Sequence, residues 1–217
     1  MSLLLREDMK GRTTLLTKNL TPGKRVYNEE LLLKNGVEYR TWDPFRSKLA
    51  AAILKGFPDD IIGEGSRVLY LGASTGTTLS HVSDLVGERG LVIGVEFAPR
   101  VAREFVERVA RNRRNVIPFV SDARDPSKYT IAKVDVVYCD IAQPDQTEIA
   151  VTNCSRLLKE GGALLLVVKA RSIDVLKEPD QVYREEQQKL EGAGFKVFSI
   201  VELSPFDKDH ALIFART

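Results

Sequence analysis

The sequence has few of the residues that build disulfide-linked or metal-binding proteins. Its 217 residues include two cysteines and two histidines. Cys139 and Cys154 lie in predicted core segments and lack the spacing of metal ligands. This cysteine usage argues against a disulfide framework and is typical of a reduced compartment. We therefore expect a cytoplasmic protein and no metal at its functional site.

Long hydrophobic runs and a strong charge of one sign are also missing. No apolar run approaches the roughly 18 residues needed to span a membrane. The first residues, MSLLLREDMKGR, mix charges into a short apolar patch, unlike a signal peptide. The net charge of +2 gives no case for unaided binding to nucleic acid. One stretch, 100–114, holds six arginines, which either follow a phosphate backbone or pair with Glu104 and Glu107 along a helix.

What the chain does contain is a strand, a glycine-rich turn, a helix and a second strand in direct succession. The apolar run 67–71 precedes the turn GASTGTT, a helical pattern covers 78–86, and the apolar run 91–95 ends on Glu96. Glycines allow a ligand to approach the backbone, and the start of a helix offers free N–H groups. A carboxylate at the end of the second strand is placed to bind ribose hydroxyls. This unit is typical of nucleotide-type cofactor binding, and its turn supplies the candidate residues Gly72, Ala73, Gly76, Thr77 and Thr78.

The rest of the chain alternates in the same way and predicts an α/β fold. After an initial helix that starts near Phe45, the predicted elements are helix 99–112, strand 116–120, strand 134–139, helix 145–159, strand 163–169, helix 179–192 and strands 195–203 and 210–216. The last two strands follow one another without a helix. We therefore predict a seven-stranded, Rossmann-like, mostly parallel sheet with an antiparallel last strand, the arrangement of S-adenosylmethionine-dependent methyltransferases.

The first 50 residues do not follow this pattern. Short strands are predicted at 13–20, 24–27 and 37–41, with turn residues between them, including Asn35-Gly36. We interpret 1–50 as a small antiparallel β region leading into the first helix, and 51–217 as the main domain.

Polar residues follow each parallel strand of the predicted sheet, and such strand ends converge on a ligand cleft. Glu96 is spaced for ribose recognition, Phe97 for stacking on a purine ring, and Asp122 for accepting a hydrogen bond from an exocyclic amine. The neighbouring candidates in these loops are Ala123, Ile141, Ala142 and Gln143.

Two of these strand ends carry the candidates for chemistry. Asp140 follows VDVVYC, and Lys169 follows LLLVV, so both emerge from buried strands. A lysine and an aspartate at adjacent strand ends over a cofactor pocket favour a catalytic pair over a structural ion pair. Lys48 and His210 are candidates to complete the cluster.

Three other functions are compatible with parts of this pattern. Gly72 to Gly76 also matches the G-x-S-x-G elbow of α/β-hydrolases, with Ser74 as nucleophile and Asp140 and His210 in the expected order. That interpretation leaves Glu96 and Lys169 without roles. A nicotinamide-dependent enzyme would have a third glycine near Thr77, and a non-catalytic scaffold would not need converging polar strand ends.

Seven segments of the sequence together carry a family resemblance. The motifs YLGASTGTTLSHVSDLVG, GVEFAPR, SDARDP, CDIAQPDQ, VVKARSID and SPFDKDHALI, preceded by YRTWDPFRSKLAAAI, closely resemble archaeal fibrillarin from about residue 10 to the C-terminus. The resemblance implies an RNA 2′-O-methyltransferase of box C/D ribonucleoproteins, in which S-adenosylmethionine is the methyl donor and ribosomal and transfer RNA are the targets.

The resemblance also implies residue roles and partners. It assigns cofactor contacts to Thr77, Thr78, Glu96, Phe97, Asp122, Ala123 and Asp140 to Gln143, and a catalytic set to Lys48, Asp140, Lys169 and His210. The implied partners are a box C/D guide RNA, a Nop-domain scaffold protein and a kink-turn-binding ribosomal-type protein, all in an archaeal cytoplasm. Since the near-neutral charge gives weak unaided RNA binding, delivery of the RNA by such partners is the expected arrangement.

Overall fold

The computed structural model describes residues 3–9, 11–129 and 131–217. In these ranges the strands are β1 (Leu4–Met9), β2 (Arg12–Lys18), β3 (Leu31–Lys34), β4 (Val37–Trp42), β5 (Arg67–Leu71), β6 (Leu91–Glu96), β7 (Val116–Val120), β8 (Val134–Cys139), β9 (Leu158–Lys169), β10 (Lys196–Glu202) and β11 (His210–Arg216). The helices are α1 (Lys48–Leu54), α2 (Thr77–Val86), α3 (Pro99–Arg108), α4 (Gln146–Leu157), α5 (Ala170–Ile173) and α6 (Pro179–Gly192).

Seven strands form the main sheet in the order β10-β11-β9-β8-β5-β6-β7. The pairs from β9 to β7 are parallel, and β11 runs antiparallel to both β9 and β10. This confirms the predicted sheet with its antiparallel last strand. The chain order reverses at β5, which pairs with β6 on one side and β8 on the other. At such a reversal the carboxyl ends of the strands open a cleft, so the functional site is expected there.

The main sheet is buried because successive side chains enter two cores. In β5, Val68 and Tyr70 join one core, and Leu69 and Leu71 join the other. Helices α1 and α2 belong to the first core, and α4 and α6 to the second. Because both faces of each central strand are buried, consecutive residues of the strand are apolar, as in the run VLYL.

The N-terminal strands form a second, antiparallel sheet in the order β1-β2-β4-β3. Asn35 and Gly36 both have positive φ angles, 49° and 76°, as a tight turn between β3 and β4 requires. Leu15 and Trp42 carry this sheet into the first core beside α1 and α2. The predicted boundary after residue 50 lies inside α1 and remains a prediction.

One predicted strand of the N-terminal sheet is wrong, and two strands of this sheet were not predicted. Residues 24–27 form no strand, because the N–H groups of Val26 and Tyr27 bind the carboxylate of Glu29, each at 2.8 Å, instead of a neighbouring strand. Strands β1 and β3, which were not predicted, form the two edges of this sheet. In the main domain, α3 ends at Arg108 and gives way to a 3-10 turn, and β9 begins at Leu158, five residues before the predicted start.

A charged cluster is buried between the N-terminal sheet and α2. The guanidinium of Arg40 contacts Glu29 at 2.7 Å and Asp84 at 2.8 Å, and Arg113 contacts the second oxygen of Asp84. All four side chains are at most 1% exposed. Because two cations meet two carboxylates, the cluster is balanced, and each partner depends on the others.

The structure shows where three arginines of the stretch 100–114 lie. Arg113 is buried, whereas Arg103 pairs with Glu107 at 3.7 Å and Arg108 with Glu104 at 3.1 Å along α3. The structure therefore has the helical ion pairs, and Arg113 does not belong to a phosphate-binding face. None of the helices in the described ranges is both long and apolar enough to cross a bilayer.

Candidate active site

The turn after β5 brings two strand ends into direct contact. Gly72 has a φ of 81°, and a Cβ atom built on it would lie 2.7 Å from the carbonyl oxygen of Asp140. Its N–H donates to the carbonyl of Val95 at 2.9 Å, which ties the turn to β6. Only glycine fits this conformation and this contact, so the turn lies directly against the end of β8.

A cavity of about 280 Å³ opens where β5, β6, β7 and β8 end. Its lining includes nine of the thirteen residues predicted to contact the cofactor, namely Gly72, Glu96, Phe97, Asp122, Ala123, Asp140, Ile141, Ala142 and Gln143. Lys169 lines it as well. A larger cleft of about 670 Å³ lies elsewhere, between the N-terminal sheet and the loop around Phe45. The predicted residues therefore converge on the smaller cavity.

The other four predicted residues shape the turn. Gly76 precedes α2 with a φ of 89°, where a Cβ atom would clash with Val109 at 2.6 Å. The Thr78 hydroxyl donates to the Oγ of Ser47 at 3.1 Å, and Ser47 is the N-cap of α1. Thr78 therefore holds the first turn of α2 against the start of α1, which carries Lys48. All thirteen cofactor contacts remain predictions, including those of Ala73, Gly76, Thr77 and Thr78, which do not line the cavity.

The carboxylate of Glu96 is fixed at the mouth of the cavity. One oxygen accepts from the N–H of Ser74 at 2.8 Å, and the other accepts from the N–H of Ala98 at 2.9 Å. A carboxylate held by two backbone donors keeps lone pairs for further hydroxyl donors. Beside it, the ring of Phe97 is 69% exposed and free to cover a planar ligand.

Arg124, which the sequence did not single out, joins two loops of the cavity. Its guanidinium donates to both oxygens of Asp145 at 2.8 Å and to the side-chain oxygen of Gln143 at 3.1 Å. The backbone N–H of Arg124 donates to the carboxylate of Asp122 at 2.9 Å. The loop after β7 is therefore fastened to the loop after β8, and Asp122 is held at the cavity wall.

Five ionisable side chains form a continuous row beside the cavity, which we call the charged row: Lys169, Asp140, Lys48, Asp207 and His210. The Nζ of Lys169 lies 2.8 Å from the Oδ1 of Asp140, and the Nζ of Lys48 lies 3.6 Å from the same oxygen. Lys48 also lies 3.5 Å from Asp207, whose second oxygen is 3.0 Å from the Nδ1 of His210. Basic and acidic side chains alternate along the row, so each basic side chain has a carboxylate neighbour.

The strands account for much of this arrangement. Lys169 ends β9 and is paired in register with His210, which opens the antiparallel strand β11. Asp140 follows β8, the parallel neighbour of β9. The Lys169 ammonium additionally donates to the carbonyl oxygen of Asp140 at 3.0 Å. All four residues predicted for catalysis are therefore close together, and Asp207 is the member that was missed.

A serine hydrolase triad is not assembled here. Asp140 contacts the two lysines, and His210 contacts Asp207 and the carbonyl of Lys208. Among the described residues, no hydrogen bond joins His210 to Ser74 or Asp140. Burial raises the pKa of the Cys139 thiol to about 12, so this cysteine at the end of β8 is not an activated nucleophile.

Comparison with known proteins identifies the family to which the chain belongs. The sequence profile of the Fibrillarin family matches residues 3–217. The chain belongs to the fibrillarin family. The fibrillarin-like rRNA/tRNA 2′-O-methyltransferase of Saccharolobus islandicus is 52% identical over 208 residues, which cover 95% of this chain and 89% of that protein.

Solved fibrillarin structures have the same fold. The crystal structure of Aeropyrum pernix fibrillarin with natively bound S-adenosyl-L-methionine has 46% identity and a TM-score of 0.88, covering 99% of this chain and 100% of that one. The crystal structure of a fibrillarin/Nop5p complex has 41% identity and a TM-score of 0.83, covering 94% of each chain. The family resemblance noted in the sequence motifs is therefore confirmed over almost the whole chain.

Proposed function

We propose that the protein transfers a methyl group from S-adenosylmethionine to the 2′-hydroxyl of ribose in ribosomal and transfer RNA. The observation that carries this proposal is the charged row beside a nucleoside-sized cleft at the reversal of the strand order. Membership of the fibrillarin family supports it, as do the activity named for the Saccharolobus relative and the ligand of the Aeropyrum structure.

The cleft fits an adenosine-containing cofactor by the chemistry of its donors and acceptors. The carboxylate of Glu96 would accept hydrogen bonds from the two ribose hydroxyls, and Asp122 would accept one from the adenine amine. The ring of Phe97 would cover the adenine ring. At Gly72 the missing side chain leaves the backbone of the turn open to the ligand. Asp140 would lie beside the amino-acid part, where its charge attracts an ammonium group.

The charged row would then activate and hold the acceptor. When bound, S-adenosylmethionine supplies an electrophilic methyl group on a sulfonium sulfur, which departs as a thioether. The 2′-oxygen would form the new O–C bond while the C–S electron pair stays on sulfur. The hydroxyl proton would pass to Lys169, which enters this step as the neutral amine after releasing one ammonium proton to solvent. Asp140, 2.8 Å from that nitrogen, orients it and stabilises the ammonium that forms. Lys48 and His210 position the ribose, and alignment of the two reactants contributes much of the rate.

The proposal includes assembly into a larger particle in the archaeal cytoplasm. The fibrillarin/Nop5p complex supports a Nop-domain scaffold as partner. We extend this to a box C/D guide RNA, which selects the nucleotide, and to a kink-turn-binding protein. The net charge of +2 supports this arrangement, because an enzyme that captures RNA alone needs many more phosphate contacts.

The test separates cofactor binding from methyl transfer. Lys169→Ala, assembled with guide RNA and both partner proteins, should lose at least about 100-fold in single-turnover methylation, the usual contribution of a general base. Its Kd for S-adenosylmethionine, measured by calorimetry, should stay within about fivefold of wild type. Glu96→Ala should instead weaken cofactor binding by about tenfold or more, since two charged hydrogen bonds are lost.

Lys159→Ala is the matched control. Lys159 lies on the same strand as Lys169, near its opposite end, and pairs with the carboxylate of Asp135. It should leave both readouts unchanged. Methylation by Lys169→Ala at the wild-type rate would rule out the assigned base, and failure of the wild-type chain to bind S-adenosylmethionine would rule out the proposed function.

A further inference from the structure

Asp207 joins two members of the charged row that otherwise have no contact with each other. Its Oδ2 lies 3.5 Å from the Nζ of Lys48, and its Oδ1 lies 3.0 Å from the Nδ1 of His210. Lys48 is on α1 and His210 opens β11, so one carboxylate bridges two separate elements. The side chain is 34% exposed, which leaves it at the border of the site.

The loop that carries Asp207 is fastened at its base and against α1. The N–H groups of Phe206 and Asp207 donate to the carbonyl of Leu203 at 2.9 and 3.2 Å. The side-chain Nζ of Lys55, the C-cap residue of α1, donates to the carbonyl of Ser204 at 2.9 Å. The ring of Phe206 packs edge-on against Phe45, with centroids 5.3 Å apart. The position of the carboxylate relative to Lys48 is therefore set by packing on both sides.

The contacts of His210 determine which of its two ring nitrogens carries the hydrogen in the neutral ring. Its Nδ1 lies 2.7 Å from the carbonyl oxygen of Lys208, and a carbonyl can only accept, so Nδ1 carries the hydrogen. The Asp207 carboxylate lies on the same side of the ring and favours the same tautomer. In the neutral ring, Nε2 then holds the lone pair, and it makes no hydrogen bond within the described ranges.

We propose that Asp207 is a positioning residue for methyl transfer, which holds Lys48 and the Nε2-accepting form of His210 at the acceptor ribose. This inference rests on the proposed function. Without the Asp207 charge, His210 would lose its carboxylate neighbour, and Lys48 would keep only Asp140, which it shares with Lys169. Loss of such anchors misplaces the acceptor rather than releasing the RNA, so the effect falls on the rate.

The first measurement uses single-turnover methylation by the full assembly. Asp207→Asn keeps the shape but removes the charge, and should lower the rate constant about 10- to 100-fold, as expected for lost charged hydrogen bonds. The KM for target RNA and the Kd for S-adenosylmethionine should each change less than about threefold. Asp207→Glu should recover most of the loss, since the loop leaves the carboxylate partly exposed.

Asp209→Asn is the matched control, because Asp209 lies on the same loop but pairs with Arg171 at 3.2 Å. It should retain at least half the wild-type rate. Equal losses in Asp207→Asn and Asp209→Asn would indicate a general disturbance of the loop and overturn the inference. A wild-type rate in Asp207→Asn would overturn it as well.

A second measurement does not depend on methylation. Lys48 in the isolated chain can be acylated with an N-hydroxysuccinimide ester and followed by peptide mass spectrometry. Asp207→Asn should speed its modification about threefold or more, because an ion pair that restrains the amine is gone, whereas Asp209→Asn should not. An unchanged Lys48 rate in Asp207→Asn contradicts the inference even if the wild-type assembly is inactive, and inactivity of the assembly alone contradicts only the proposed function.

Discussion

His81 should make the stability of the protein depend on pH well above the range where carboxylates titrate. The imidazole is fully buried in α2, stacked on Trp42 with centroids 5.0 Å apart. Its Nδ1 lies 2.7 Å from the hydroxyl of Thr17, and its Nε2 lies 2.6 Å from that of Tyr27. Burial first, and then the cations of Arg40 and Arg113, hold the pKa of His81 well below its usual value.

The sign and size of the effect follow from this lowered pKa. The unfolded chain takes up a proton on His81 near pH 6.5, while the folded chain leaves it neutral. The stabilisation is therefore complete above about pH 6.5 and is lost as the pH falls. Between pH 7.5 and pH 5.0 the loss amounts to about 2 kcal/mol, or about 4–8 °C in Tm for a chain of this size.

Urea denaturation followed by the fluorescence of Trp42, the single tryptophan, measures this change directly. His81→Gln keeps an amide in place of the ring and cannot take up a proton, so its stability should be nearly constant over the same range. His210→Gln serves as the control for the only other histidine. A slope in His81→Gln equal to that of wild type would refute the assignment.

The buried Glu29 affects stability in a separate pH range. Burial opposes its charge, but the hydrogen bond from the Val26 N–H and the cation of Arg40 lower its pKa. Its contribution to the free energy of unfolding is therefore lost only below about pH 4.5.

Three other substitutions test the fold and the cavity. Gly72→Ala should cost about 1–3 kcal/mol and weaken S-adenosylmethionine binding in calorimetry, because the φ of 81° is strained and the new Cβ meets the carbonyl of Asp140. Arg40→Met should lower the free energy of unfolding by about 3–5 kcal/mol in urea titrations, since Glu29 loses its cation and Asp84 keeps only one. Arg124→Ala should raise the Kd for S-adenosylmethionine about two- to fivefold, because the loop that holds Asp122 is released.

Each of these has an outcome that contradicts it. Full cofactor affinity in Gly72→Ala would show that the turn does not approach the ligand. A stability loss below about 1 kcal/mol in Arg40→Met would mean that the buried charges are not interdependent. For Arg124→Ala, a matched control is Arg89→Ala, since Arg89 forms a comparable exposed pair with Glu64 remote from the cavity. Equal Kd values in these two variants would remove the role of Arg124.

The main sheet could be predicted because its strands are apolar on both faces and end on polar residues. The apolar runs before Asp140 and Lys169 therefore predicted that both side chains lie at the carboxyl ends of neighbouring strands. The N-terminal sheet was harder, since residues 24–27 have strand-like composition but bind the Glu29 carboxylate through their backbone. A side chain that competes for backbone N–H groups is not visible in periodicity.

Long-range charge pairing limited the prediction of the site in the same way. Asp207 and Asp209 are both within three residues of His210, and only the structure shows that Asp207 faces Lys48 while Asp209 faces Arg171. Arg113 likewise belongs to the stretch 100–114, which was expected either to follow a phosphate backbone or to pair along a helix, but it is buried beside Asp84. Flexible charged side chains choose among several partners, and their choice depends on loops that the sequence pattern does not define.

The most direct test of the proposed chemistry is the fate of a labelled methyl group. The chain should be assembled with its guide RNA and partner proteins, and supplied with methyl-labelled S-adenosylmethionine and two target RNAs. The targets differ only in the 2′-oxygen of the nucleotide specified by the guide. We predict transfer of label to the ribose-containing target at that nucleotide and none to its 2′-deoxy counterpart. Equal labelling of both targets would place the methyl group on another atom and contradict the account.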